Sequence, residues 1–215
     1  YRSQAKELIE FSNTNFYDNK LLFSTLNNIN ENPLEINTNI KNKENDFINK
    51  EEAKLVLNRL KKEMNNPNYS KILVICFTTR QKEFLKELIE KEANNDLLLR
   101  IKKNYLVIGD LQSIQGDEGD LVIISCVFSK ESKDYGLLSK VRGQNFLNVA
   151  ITRAKKKIIV YKSLNNQDIK WVNDDYIESL NIFKKWISYL DNKTKEAKAK
   201  NENIIRWTIK KSECC

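Results

Sequence analysis

Three short stretches of this sequence carry side chains able to handle a phosphate. In "SIQGDEGDLVIIS" (Ser113 to Ser125), a polar turn holding Gln115, Gly116, Asp117, Glu118 and Asp120 runs straight into an apolar segment. Gly116 lets the backbone approach a phosphate closely, because it has no Cβ and accepts positive φ. Glu118 could accept hydrogen bonds from a ribose hydroxyl. The alternative is a solvated turn that opens a strand and happens to be acidic. In "NVAITRAK", Arg153 lies late on an otherwise apolar helix, with Lys155 close behind. A guanidinium on a largely buried element needs an anion or a carboxylate nearby. It reads either as a finger that stabilises charge developing in phosphoryl transfer or as one half of an internal salt bridge to an acid of the sheet. Tyr1 and Arg2 could stack on a base and clamp a phosphate, although such a pair also occurs by chance.

The elements that must position these residues follow from hydrophobic periodicity. Leu8, Ile9 and Phe11 cluster on a helical period, and that pattern breaks at Asn13 to Asn15. The stretch 27–45 is Asn-rich with few apolar residues and is expected to be a loop or insertion. Ala53, Val56, Leu57, Leu60 and Met64 predict a helix over 51–64, ended by Pro67 and Asn68. "KILVICF" (71–77), "YLVIG" (105–109), "DLVIISCVF" (120–128) and "KIIVY" (157–161) are short continuous apolar runs, as expected for strands buried on both faces. Between them, Phe84, Leu85, Leu88 and Ile89 mark one helical face, and Phe146, Leu147, Ala150 and Ile151 another. A last helix fits Tyr176 to Leu190, followed by a basic tail with few apolar residues. Helices alternating with buried strands predict an α/β fold built on a mostly parallel sheet. Ligands of such sheets sit at the carboxyl ends of the strands. The loops Thr78–Gln81 and Gly109–Glu118, and the start of the Gly143 helix, are therefore the expected site.

Composition excludes several classes. The 215 residues contain no histidine and four cysteines, so the usual zinc spacings are missing and a disulfide scaffold is not expected. Cys76 and Cys126 fall inside apolar runs and read as small buried hydrophobes; Cys214 and Cys215 form an adjacent pair. A reduced, cytoplasmic protein is the expectation. The longest apolar runs, such as "LVII" (Leu121 to Ile124), are far too short to span a bilayer, and no secretory signal pattern is visible. The sequence begins at Tyr1 without a methionine and reads as a piece of something longer. Of the net charge of +8, residues 155–215 hold +6, with 14 Lys and Arg against 8 Asp and Glu. That asymmetry fits a polyanionic partner, or simply the lysine- and asparagine-rich composition of the whole chain.

The order of these blocks carries more than any one of them. "YRSQAKELIEFSNTNFYDNKL", "ILVICFTTRQKEFLKELI", "VIGDLQSIQGDEGDLVIISCV" and "GQNFLNVAITRAKKKIIVY" together resemble the second RecA-like domain of superfamily one helicases, with closest likeness to the Upf/senataxin-type group. The resemblance covers about residues 1–163, leaving 164–215 as a helical extension with a basic tail. It implies a RecA-like sheet with helices on both faces. It implies ATP with Mg²⁺ as cofactor and single-stranded DNA or RNA as partner, and it places the metal on a first RecA-like domain that would precede Tyr1. Residue by residue, it implies that Tyr1 stacks on adenine, Arg2 reaches the γ-phosphate, Gly116 sits near the phosphates, Glu118 holds the ribose and Arg153 is the arginine finger. The loop Phe77 to Gln81, including Thr78 and Thr79, and the turn Gln112–Ser113 would hold the nucleic-acid backbone. Two positions depart from the family pattern. Phe77-Thr78-Thr79 stands where Pro-Tyr is frequent, and Ile114 stands where Phe is usual, as a core substitution. The phosphate loop G-x-x-x-x-G-K-[ST] of a complete motor does not occur in this sequence. Two other readings stay open: a non-catalytic nucleic-acid or protein-binding module on the same fold, and the motor half of a multidomain nuclease or defence protein.

Overall fold

The computed structural model describes residues 3–22, 32–38, 40, 47–92, 95–169 and 177–212, with side chains as far as residue 200. Five strands form one sheet: β1 (Leu34–Asn37), β2 (Ile72–Cys76), β3 (Leu106–Asp110), β4 (Gly119–Ser125) and β5 (Ala154–Tyr161). Their order is β1-β5-β4-β2-β3, and every neighbouring pair is parallel. Among the described residues, six α-helices accompany them: α1 (Glu10–Phe16), α2 (Lys50–Glu63), α3 (Thr79–Glu92), α4 (Asn95–Lys102), α5 (Gly143–Ile151) and α6 (Ile177–Ser212).

The apolar runs are explained by helices on both faces. On one face Leu73, Ile75, Val122, Ile124, Ile158 and Val160 pack against α1, α5 and the first half of α6. On the other, Ile72, Val74, Leu121, Ile123 and Ile159 pack against α2, α3 and Leu97 of α4. Alternate residues of each strand thus enter opposite cores, which is why β2 is buried along its whole length. This is the RecA-like α/β arrangement expected from the sequence. Ile114, at the position where the helicase pattern carries Phe, is fully buried in the first core. Among the described residues no helix is long and apolar enough to cross a membrane.

Three expectations change. The stretch 27–45 is not loop throughout, because Leu34–Asn37 forms the edge strand β1. Its pairing is supplied from outside by β5, and Glu35 is held by Arg59 at 2.7 Å and Lys157 at 3.2 Å. The asparagines at 13 and 15 do not break α1, which runs to Phe16; Asn15 instead bonds the Phe11 carbonyl at 2.9 Å. The last helix does not stop at Leu190. Leu180, Phe183, Trp186, Ile187 and Leu190 bury its first half, and the helix continues through the basic segment to Ser212. Tyr176, its expected first residue, lies outside the described residues.

The link from β3 to β4 matters most for function. Cys76 of β2 is level with Asp110 at the end of β3 and with Ser125 at the end of β4. The chain must therefore travel back the length of the sheet between Asp110 and Gly119. It does so through residues 111–118 in turns, with Ile114 N bonding Asp110 O at 3.2 Å and Asp117 N bonding Ile114 O at 3.1 Å.

Candidate functional site

The residues singled out from the sequence fall into two groups at opposite ends of the sheet. Helix α5 ends at Ile151, and Arg153 stands immediately before β5, at the amino edge. The guanidinium is fixed from two sides: Nε donates to the Val149 carbonyl at 3.0 Å, and Nη1 to the Asp117 carbonyl at 3.4 Å. The Gly119 amide donates back to the Arg153 carbonyl at 3.1 Å. Arg153 makes no ion pair with a carboxylate among the described residues, so the internal salt bridge considered above is not formed there.

The acids of the turn are matched to lysines instead. Asp117 pairs with Lys71 at 2.8 Å, Glu118 with Lys155 at 3.5 Å and Asp120 with Lys156 at 3.7 Å. Burial opposes ionisation of Asp120, but the Lys71 and Ser70 amides and the Lys156 charge outweigh it and hold the carboxyl below its ordinary range. Gly116 has φ +93°, and a Cβ placed there would meet nothing within 4 Å. Glycine is needed for the backbone angle, while the space above the turn stays open. Tyr1 and Arg2 lie outside the described residues. Ser3, which follows them, donates from Oγ to the Ala154 carbonyl at 2.7 Å, and the Gln4 amide donates to the Lys155 carbonyl at 2.7 Å. The beginning of the described chain is therefore pinned next to Arg153.

The second group lies at the carboxyl edge and is organised by Asp110, a residue the motif reading passed over. Thr79 Oγ1 donates to Asp110 Oδ2 at 3.0 Å, Lys82 Nζ to the same oxygen at 2.7 Å, and Ser113 Oγ to Oδ1 at 2.9 Å. The Gln112 and Ser113 amides also donate to Oδ1. Burial works against the Asp110 charge, yet Lys82, Ser113 and Thr79 together hold its carboxyl far below the usual carboxylate range. One carboxylate thus joins the β2–α3 loop to the turn after β3, leaving Thr79, Gln112 and Ser113 exposed on a common crest. Thr78 faces inward, with Oγ1 donating to the Phe47 carbonyl at 2.6 Å and accepting the Gln81 amide at 3.2 Å.

Two parts of the expected site are otherwise employed. Phe77 is buried against Phe183 and Trp186. Gln81 is 0% exposed: Nε2 donates to the Asn49 carbonyl at 3.0 Å and to Ser125 Oγ at 3.1 Å, while Oε1 accepts the Asn49 amide at 2.9 Å. The start of α5 is also closed, since a Cβ on Gly143 would lie 2.5 Å from the Leu137 carbonyl oxygen. Arg80, exposed in the same loop, lies 5.4 Å over the Phe47 ring.

The expectation of one site at the carboxyl ends is corrected by the β3–β4 link. Its first residues, Gln112 and Ser113, remain at the carboxyl edge, whereas Asp117 reaches Arg153 at the amino edge. About 16 Å of strand separates the two, at about 3.3 Å per residue. A single peptide segment therefore touches both groups.

Behind the crest is a buried carboxyl. Glu52 of α2 accepts from Ser125 Oγ at 2.5 Å and from the Val127 amide at 2.8 Å. Burial pushes its pKa up to about 8, against the lowering effect of those two donors. Val127 itself has φ +70°. The signal in the sequence was Glu52's place on the apolar stripe of α2, one turn before Val56.

The sequence model of a family described as an AAA domain matches residues 1–164. An uncharacterised ATP-dependent helicase of Mycoplasma genitalium is 32% identical over 222 residues, covering 99% of this chain and 20% of that protein. Its Mycoplasma pneumoniae homologue is 32% identical over 188 residues, covering 83% and 17%. The crystal structure of the C-terminal domain of a possible DNA helicase from Lactobacillus plantarum superposes with a TM-score of 0.48 at 12% identity, covering 82% of this chain and 96% of that one. This chain spans about a fifth of the length of these two Mycoplasma proteins.

Proposed function

The chain belongs to this AAA domain family, which is found in superfamily one helicases, and from that premise we propose that it is the second RecA-like motor domain of an ATP-dependent helicase or translocase of the Upf/senataxin-like group. The observation that carries the reading is the state of Arg153. Its guanidinium is aimed by two backbone carbonyls, is not neutralised by a carboxylate among the described residues, and stands beside the open turn at Gly116.

Those residues fit a nucleotide polyphosphate: open space over a positive-φ glycine for close approach, and a pre-aimed cation to meet it. When bound, ATP supplies the γ-phosphoryl group, with its Mg²⁺ held by a first RecA-like domain outside this chain. Arg153 and Arg2 then stabilise the negative charge that develops on transfer. Glu118 accepts from the ribose, Gly116 lines the phosphates and Tyr1 stacks on the adenine. Closure of the two domains brings Arg153 into place, and opening withdraws it.

On the opposite edge, Thr79, Gln112 and Ser113, with Thr78 beneath them, grip the sugar-phosphate backbone of single-stranded DNA or RNA. Such contacts tolerate sequence and weaken with salt. The link 111–118 couples the two edges, because a shift of Asp117 against Arg153 pulls on the turn that holds Gln112 and Ser113.

The sequence has no phosphate loop, so this chain alone is expected neither to hydrolyse ATP nor to bind it tightly. The test compares ATP turnover by this chain with turnover by the chain joined to its upstream domain, each with and without single-stranded DNA and RNA. Turnover confined to the joined form and stimulated by one nucleic acid supports the reading and names the track. Equal turnover by the isolated chain contradicts it.

A further inference from the structure

A polar cavity of about 460 Å³ lies at the carboxyl end of β5, between the 3-10 turn Asn166–Asp168 and α6. We infer that it takes one nucleotide of a single strand, phosphate included, as a second grip on the same edge as Thr79 and Ser113. The inference rests on the reading of the chain as a strand-gripping motor domain.

The walls are locked. Lys162, the residue after β5, has a side chain 1% exposed, and its Nζ donates to Asp191 Oδ1 at 2.5 Å and to the Leu164 carbonyl at 3.0 Å. Asp191 Oδ2 accepts the Asn166 amide at 3.2 Å, and Asn166 Nδ2 donates to Ser188 Oγ at 3.3 Å. The turn and the helix are thus tied together around one balanced ion pair, which presets the shape of the cavity.

The mouth is cationic. Asp191, Lys195 and Lys198 recur at helical spacing on one side of α6, and all three line the cavity. Lys195 and Lys198 are exposed and make no ion pair with the described residues. With the Lys162 charge already matched by Asp191, both are left to attract an anion. The rest of the lining is polar, including Gln167 and Asn192. The volume falls within the roughly 300–1,000 Å³ of small-molecule sites, but the polar lining suits a nucleotide better than an apolar ligand.

Position supplies the link to a strand. Along the carboxyl edge the order is β5, β4, β2, β3. The cavity at β5 and the Ser113 turn at β3 are three strand spacings apart, about 14 Å. A strand crossing that edge reaches both.

The test is binding of a fluorescent single-stranded 12-mer, read by anisotropy as a function of salt. Lys195→Ala with Lys198→Ala is expected to weaken binding about tenfold and to flatten the slope of log affinity against log salt by about 1.4. Gln167→Ala with Asn192→Ala, which leaves charge unchanged, is expected to weaken it about threefold. The remote exposed pair Lys61→Ala and Lys62→Ala should have no effect; equal loss there would overturn the inference, because only bulk charge would then matter. If both cavity variants bind like wild type while Thr79→Ala with Ser113→Ala binds weakly, the inference fails and the motor reading stands. If the wild-type chain binds no strand at all, both fail.

Discussion

The Arg153 guanidinium donates to the backbone carbonyl of Asp117 at 3.4 Å, and the residue two further along, Gly119, returns its amide to the Arg153 carbonyl at 3.1 Å. This reciprocal clasp joins the end of α5 to the last residues of the β3–β4 link. It orients the arginine through backbone groups, with no carboxylate among the described residues paired to its charge. The same link begins at Asp110, where the exposed crest of Thr79 and Ser113 is assembled.

Replacing Gly116 by alanine adds no clash, since the space beyond its Cα is open, but forces an L-residue to φ +93°. The expected cost is about 1–2 kcal/mol, or a melting temperature lower by roughly 2–8 °C for a chain of this size. A thermal melt followed by circular dichroism measures it. An unchanged melting temperature would mean that the turn does not hold this conformation in solution.

Asp110→Asn keeps one oxygen for Ser113 but removes the charge and replaces the oxygen that accepts from Lys82 and Thr79 with an NH2 donor. The folded carboxyl is held below its ordinary pKa, so its stabilisation is present above about pH 4 and is lost as pH falls. Urea denaturation at pH 7 should show a loss of about 1–3 kcal/mol, shrinking toward zero at the lowest pH at which wild type still folds. A loss that is the same at both pH values would contradict the assignment. Strand affinity should fall alongside, because the crest loses its brace.

Glu52 has the opposite sign. Its folded pKa is about 8 against an ordinary 4.5, so between those values the folded state binds more protons than the unfolded one. Stability should therefore fall as pH rises from about 4.5 to 8, by an amount on the order of 5 kcal/mol at most. Glu52→Gln keeps acceptors for Ser125 and Val127 and should flatten that decline, leaving the variant more stable than wild type at pH 8. Parallel stability profiles for the two proteins would contradict it.

Much of this architecture is legible in the sequence because apolar runs and helical stripes encode burial directly: β2 to β5, α2, α3 and α5 all fall where periodicity puts them. The failures have physical causes. Strand β1 carries only Leu34 and Ile36 as apolar signal, and its remaining support comes from Arg59, Lys157 and β5, distant in sequence. Residues 195–200 of α6 show no buried stripe because they are exposed. The α4 segment carries Leu97, Leu98, Leu99 and Ile101, of which only Leu97 is fully buried, so no clean amphipathic period marks it. The site residues were legible as types, but not their division between two edges. That division depends on the direction of the eight-residue link after Asp110, and hence on strand order, which no local pattern records. Asp110 itself reads as an ordinary strand-ending acid until Thr79, Lys82 and Ser113 are brought to it.

The central claim is that Arg153 acts on charge developing at a nucleotide and does not serve to hold the fold. The most direct measurement is ATP turnover by the chain joined to the proposed first RecA-like domain, for wild type, Arg153→Ala and Arg153→Lys, with single-stranded nucleic acid saturating and stability checked in parallel. The expected result is a fall in kcat of about 10³-fold or more for Arg153→Ala, little recovery with lysine, and a melting temperature within a few degrees of wild type. Unchanged kcat with a large loss of stability would contradict the account and make Arg153 a structural clasp alone.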